Sequence, residues 1–186
     1  VVDLKTGAAW RALDKDPSVM PQSWLIRNPT KTMSWLGGLF TLKPGIDGIA
    51  ISKNDQFLVY GAMAHDTLFS VPTAALTRAE AGQAALQVKA LGRKPLNDGL
   101  SMDRNDNIFI TDVEHGSVMK MTPAGLLSTV VQDVKRLRWA DALSFGPDGW
   151  LYVADSAIPD QMLRSKAHMR AQAPYRIFRF KPGTEG

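Results

Sequence analysis

One pattern occurs three times in this chain and limits what the chain can fold into. Its clearest copy runs Asn97-Asp98-Gly99-Leu100-Ser101-Met102-Asp103, then Arg104-Asn105-Asp106-Asn107, then Ile108-Phe109-Ile110-Thr111-Asp112. The earlier copy is Ile46-Asp47-Gly48-Ile49-Ala50-Ile51-Ser52, Lys53-Asn54-Asp55-Gln56, Phe57-Leu58-Val59-Tyr60-Gly61. The later one is Ala140-Asp141-Ala142-Leu143-Ser144-Phe145-Gly146, Pro147-Asp148-Gly149-Trp150, Leu151-Tyr152-Val153-Ala154-Asp155. Each opens on a carboxylate, continues through a short apolar run and a polar turn, and closes on a second apolar, β-branched or aromatic run. That is a β-hairpin written three times. The copies recur at roughly 40 to 50 residues, room for about four strands each, which is the period of a β-propeller blade. A lone four-stranded sheet covers neither of its faces, and radial stacking of such sheets covers both. The repeats take in residues of about 44–94, 95–137 and 138–183 of a single partial propeller domain.

Further strands complete the units. Thr67 to Pro72 and Leu86 to Leu91 follow the first hairpin, with an Ala- and Glu-rich stretch from Thr77 to Gln87 between them that reads as a short helix capped by Thr77. Ser117 to Thr122 and Leu126 to Val131 follow the second. In the third unit an insertion from Ile158 to Pro174, with helix-forming residues around Ser165 to Ala171, delays the third strand to Arg176–Gly183. The opening residues read as a strand, a Lys5-Thr6-Gly7 turn and another strand, as in a chain whose preceding part is missing. Val19 to Phe40, with Pro21, Pro29 and Gly37-Gly38, reads as a long connection with one short strand near Trp35 to Leu42. Three blades do not close a ring, so the expectation is three to four blades of a larger propeller.

Composition narrows the function classes. There are no cysteines, which excludes disulfides, thiolate catalysis and cysteine-ligated zinc. No apolar run approaches the roughly 20 residues of a membrane span, so no membrane partner is expected. The net charge of +4 is spread along the chain, with only short clusters at Lys135-Arg136-Arg138 and Arg164-Lys166-Arg170. No aromatic-interleaved basic stripe accompanies them, and no nucleic-acid partner is expected. No Ser-His-Asp arrangement, phosphate loop or HExxH pattern occurs. The eight methionines read as core residues.

Gly45 to Ser52, Leu68 to Thr73, Asn97 to Asp103, Thr129 to Asp133 and Trp139 to Phe145 together resemble the major royal jelly protein/yellow family, in particular its bacterial, L-dopachrome tautomerase-related members. The resemblance implies an all-β, six-bladed propeller of which this chain is about the C-terminal half, and a full-length monomer that is secreted or periplasmic. The chain departs from the family pattern at Ala140, where proline is usual, and at Asn97, where serine is common. Insect members of that family include dopachrome-converting enzymes, amine-binding salivary proteins, pigmentation factors and nutritive proteins. The repeat is more distantly similar to gluconolactonase-type propellers.

In an antiparallel meander the start of the first strand, the end of the second and the start of the third lie on one face. Asp47, Asp98 and Asp141 therefore point to the mouth of the central channel, with Asp112 and Asp155 at second-strand ends and His65 and His115 in the matching loops. One reading is structural, the aspartates capping strand starts and the histidines bonding to backbone. Another is a pocket for a small organic ligand, an amine or catechol-derived compound. In it Asp47, Asn97, Asp98, Asp141, Asp112 and Asp155 supply polar contacts, Trp139 and Phe145 supply apolar or cation–π contacts, and His65 or His115 is the proton-transfer group of a dopachrome-type tautomerisation, with no cofactor. Resemblance to the gluconolactonases implies the alternative of a metal-dependent lactone hydrolase, with Ca²⁺ or Zn²⁺ held by Asp98 and Asp47. A non-catalytic secreted binding protein is a further alternative.

Overall fold

The computed structural model describes all 186 residues. Strands β1 (Ser34–Trp35) and β2 (Phe40–Thr41) form a small ladder. The first blade is the four-stranded meander β3 (Ile46–Ile51), β4 (Phe57–Ala62), β5 (Thr67–Pro72) and β6 (Lys89–Arg93). The second is β7 (Leu100–Met102), β8 (Ile108–Asp112), β9 (Ser117–Met121) and β10 (Leu127–Gln132). The third has three strands, β11 (Ala140–Phe145), β12 (Leu151–Asp155) and β13 (Arg176–Phe180), with helix α1 (Lys166–Ala171) in the insertion before β13. All neighbouring strands are antiparallel, and the innermost strands β3, β7 and β11 lie side by side. The architecture is a partial β-propeller.

The hairpins close as their turn residues dictate. Asp55, Asp106 and Gly149 occupy the same turn position with φ of 57°, 57° and 73°, a left-handed conformation that Asp tolerates and Gly adopts freely. In the second blade Asp103 Oδ1 also accepts the amides of Asn105 and Asn107. The stretch from Thr77 to Gln87 is not an α-helix. It forms 3₁₀ turns at Thr73–Leu76 and Ala81–Gln87, without a side-chain cap from Thr77.

Every residue of β8 is buried, which explains why it opens on three successive large apolar residues, Ile108-Phe109-Ile110, and not on an alternation. Successive side chains point to opposite sheet faces. Ile108 and Ile110 pack toward the first blade with Val59, Leu68 and Met121, and Phe109 packs toward the third with Leu137, Leu143, Leu151 and Val153. A blade with neighbours on both sides has no solvent face.

The long connection from Val19 to Leu42 is the main departure from the sequence reading. It is irregular, as its prolines dictate, but it crosses the mouth face of the disc as a strap tied to all three blades. Gln22 N–H donates to the Ala64 carbonyl at 2.8 Å, Arg27 N–H to Glu114 Oε1 at 2.7 Å, and Asn28 Nδ2 to the Arg138 carbonyl at 3.2 Å. Ile26 and Met33 are fully buried with Met63, Leu96, Val113 and Trp139, which lie in or between all three blades. Ile26→Ala is expected to cost about 2–4 kcal/mol, from lost transfer free energy and the cavity left behind. Urea denaturation should show a lower midpoint at unchanged slope; an unaltered midpoint would mean the strap does not contribute to the core.

Candidate carboxyl site at the channel mouth

Asp47 lies on β3, Asp98 two residues before β7, and Asp141 on β11. The glycine after each of the first two, Gly48 and Gly99, decides how near the three come. A Cβ on Gly48 would stand 2.6 Å from the Asp98 carbonyl oxygen and 2.9 Å from Asn97 Nδ2; one on Gly99 would collide with the Asp141 carbonyl oxygen and stand 3.0 Å from Ala142 Cα. Glycine thus lets each inner strand lie against the backbone of the next, and the three carboxyls line one recess of about 260 Å³. The Asp-Gly repeat serves two ends, the carboxylate facing the axis and the glycine admitting the neighbouring blade.

Asp98 sits deepest. It is 7% exposed, whereas Asp47 is exposed and Asp141 half-buried. Its Oδ2 accepts the Trp139 indole N–H at 2.8 Å, and its amide, with that of Gly99, donates to Thr111 Oγ1. Burial first, then the nearby charges of Asp141 and Asp47, push the Asp98 carboxyl up to about 7, against the lowering effect of the indole. Asp47 is also raised: although the residue is exposed overall, the recess screens its carboxyl partly from water and Asp141 repels its charge, while hydrogen bonding to Asp98 opposes the rise. Like charges this close disfavour simultaneous ionisation, so the pair holds a proton near neutrality.

The other residues singled out from sequence stand elsewhere. Trp139 is fully buried beneath the strap, so it orients Asp98 and offers no ring face to a ligand. Phe145 is at the far end of β11, edge-on to Phe109 at 5.3 Å between centroids, and its role is core packing, not a contact at the mouth. Asp155 takes the Trp139 amide on Oδ1 and the Arg138 guanidinium on Oδ2, each at 2.9 Å. Asp112 accepts the amides of Glu114 and His115 and the Ser117 hydroxyl. Both carboxylates are occupied, Asp112 by its own loop, as turn aspartates are, and Asp155 by the residues that lead into β11. Asn97 is fully buried between Gly48 and Gly61, its Nδ2 donating to the Asp98 carbonyl and its Oδ1 without a partner.

Neither histidine lines the carboxyl recess. His65 is buried, accepts the Thr67 amide on Nδ1 at 3.0 Å and meets Phe69 edge-on; burial lowers its pKa despite neighbouring Asp66. His115 has an exposed ring whose Nδ1 lies 2.9 Å from Asp112 Oδ2. No three Asp, Glu or His side chains are placed to hold a metal ion together. Asp98 and Asp47 alone do not meet the six to eight oxygens of Ca²⁺ or the four ligands of Zn²⁺.

One group escaped the sequence reading. Lys94 is 5% exposed, and its Nζ donates to the carbonyls of Ala62, His65 and Pro95. Burial brings it down to about 7, with Asp66 opposing. All three N–H groups have backbone acceptors, so Lys94 ties the loop after β4 to the connection between the first two blades. Nothing in the run Arg93-Lys94-Pro95 distinguishes it from a solvated basic turn.

A family model described as major royal jelly protein matches residues 1–170. No curated protein sequence matches the chain. Among solved structures, it is similar to regucalcin, described as a calcium-binding protein, from Agrobacterium tumefaciens, with TM-score 0.53 and 18% identity over 83% of this chain and 51% of that one. It is similar to a gluconolactonase from Xanthomonas campestris, with TM-score 0.56 and 12% identity over 76% of this chain and 46% of that one. A luciferin-regenerating enzyme gives TM-score 0.54 and 15% identity over 87% of this chain and 62% of that one. The chain therefore spans about half the length of the first two and 62% of the third. At such identities the likeness shows the propeller fold alone.

Proposed function

We propose, for a chain that belongs to the major royal jelly protein family, that the recess of Asp47, Asp98 and Asp141 binds a small organic cation, an amine or catechol-derived amine, and exchanges a proton with it. The observation that carries this reading is Asp98. It is a deeply buried carboxyl, held by the Trp139 indole, beside two further carboxyls and brought to about 7. An ammonium entering the recess offsets the repulsion among the aspartates and is bound most strongly when Asp98 is ionised.

A carboxyl that is half ionised near neutral pH also suits general acid–base work. In a dopachrome-type tautomerisation, the carboxylate takes a proton from a substrate carbon, the electron pair shifts through the conjugated system, and a proton returns at another atom. The reaction is an isomerisation and needs no oxidant. Asp98 is the first group we assign to this transfer. His115, exposed and paired with Asp112, stands outside the recess and is the alternative for a substrate bound elsewhere on the mouth face; His65 is held by the Thr67 amide and its burial. Lactone hydrolysis through a metal requires ligands beyond Asp47 and Asp98, and this chain spans about half the length of the gluconolactonase it resembles.

Calorimetric titration of the intact protein with tyramine or dopamine is the test, together with an assay of dopachrome conversion. Affinity should rise with pH through about 7 and fall about tenfold or more in Asp98→Asn, the loss of one charge-assisted contact. Binding that is indifferent to both pH and the substitution overturns the recess as the amine site. Turnover unchanged in Asp98→Asn but lost in His115→Ala would move the proton transfer to the histidine.

A further inference from the structure

The opposite face of the disc carries a larger cavity, between the first and second blades, of about 370 Å³. Its walls are two cross-strand rows. Val59, Ser70 and Lys89 are register partners across β4, β5 and β6, so their side chains share one face of the first blade. Met102, Ile108 and Met121 are register partners across β7, β8 and β9 and share the facing side of the second. In a close-packed inter-blade interface such rows interdigitate. Here they leave a space of small-molecule size.

The first row becomes polar as it runs outward, and nothing in the protein answers its polar groups. Ser70 is 6% exposed and lines the cavity, and its hydroxyl, open to the cavity, makes no hydrogen bond within the protein. Beside it, Lys89 is exposed at the cavity's edge and makes no ion pair. Of the other polar groups at the rim, Ser52 donates to Asn54, and Asp106, in the turn between β7 and β8, accepts the Lys53 amide and keeps its negative charge. What remains is an apolar floor with an unpartnered hydroxyl and a free ammonium along one edge.

From this arrangement we infer that the cavity is a second small-molecule site, taking a compact hydrocarbon or aryl body that bears one carboxylate. The apolar part lies over Met102, Ile108 and Met121, whose flexible thioethers adapt to its shape. The carboxylate pairs with Lys89 and accepts from Ser70. The site is separate from the carboxyl recess, is formed wholly within two complete blades, and does not depend on the function proposed for the recess.

The two methionines provide the readout. With ¹³C-methyl-labelled methionine in the intact protein, octanoate should shift the Met102 and Met121 resonances and leave those of Met20 and Met33, in the strap, unmoved. Octylamine should shift them far less, because the Lys89 ammonium beside Ser70 has the wrong sign for it. Lys89→Glu, at an exposed position, should weaken octanoate about tenfold or more and strengthen octylamine. Ser70→Leu should fill the space and suppress both ligands. Unmoved Met102 and Met121 signals overturn the site, and equal octanoate affinity in Lys89→Glu overturns the assigned ligand class.

Discussion

Asp98→Asn should leave the folded protein more stable at and above neutral pH while removing its grip on an organic cation. The two effects have one cause. A buried carboxyl raised from 3.8 to about 7 is a group that the folded state prefers to keep protonated. At acid pH, below the ordinary carboxyl range, Asp98 is neutral in both folded and unfolded chains and the substitution changes little. As pH rises, the unfolded chain releases its proton first. Stability then declines until Asp98 itself ionises at about 7, and above that the penalty is constant. Asparagine has no proton to release, and its side-chain oxygen still accepts the Trp139 indole. The variant should therefore gain up to a few kcal/mol at and above neutral pH, with coupling to Asp47 spreading the transition. Urea denaturation across a pH series measures the gain directly. A difference between variant and parent that does not change with pH would show that Asp98 titrates normally. The exchange of stability for binding is common where a site keeps like charges together.

How much of this was legible beforehand depended on whether a residue obeys a local rule. The apolar, β-branched and aromatic runs around Val59, Ile108 and Val153, and the turn residues Asp55, Asp106 and Gly149, are governed by strand and turn geometry, and the propeller follows from their recurrence. Strand polarity likewise placed Asp47, Asp98 and Asp141 at one end of the inner strands, where the structure has them. Loop side chains obey no such period. Sequence did not show that Asp155 turns to Arg138, that Trp139 lies under Ile26 and Met33, or that Lys94 is buried among carbonyls. The strap was hidden for a related reason. Its burial comes from contacts with residues far along the chain, and the only local trace was Ile26, Met33 and Trp35 within a proline-rich stretch. The glycine after Asp47 and after Asp98 was visible as a letter, but its purpose depends on the neighbouring blade.

That purpose yields the largest expected loss of stability. Gly99→Ala adds one methyl group, and the group meets the backbone of the next inner strand: the Asp141 carbonyl oxygen and, at 3.0 Å, Ala142 Cα. Gly99 is not among the residues with positive φ, so alanine suits its backbone conformation. Judged by chain entropy alone, the substitution would stabilise by roughly 0.4–1 kcal/mol. Steric overlap must reverse that sign. Overpacking costs about 1–3 kcal/mol where flexible side chains yield. A carbonyl in a paired strand yields only if β11 moves as a whole, so about 3 kcal/mol or more is expected, a fall in melting temperature of about 10 °C at this chain length. Gly82→Ala is the matched control. Gly82 also has no positive φ, and a Cβ there has no atom within 4 Å, so a small stabilisation is expected. Displacing β11 also carries Asp141 away from Asp98, so the Asp98 carboxyl should ionise at lower pH in Gly99→Ala. If Gly99→Ala behaves like Gly82→Ala in both stability and titration, the inner strands are not in the close contact that brings the three carboxyls together.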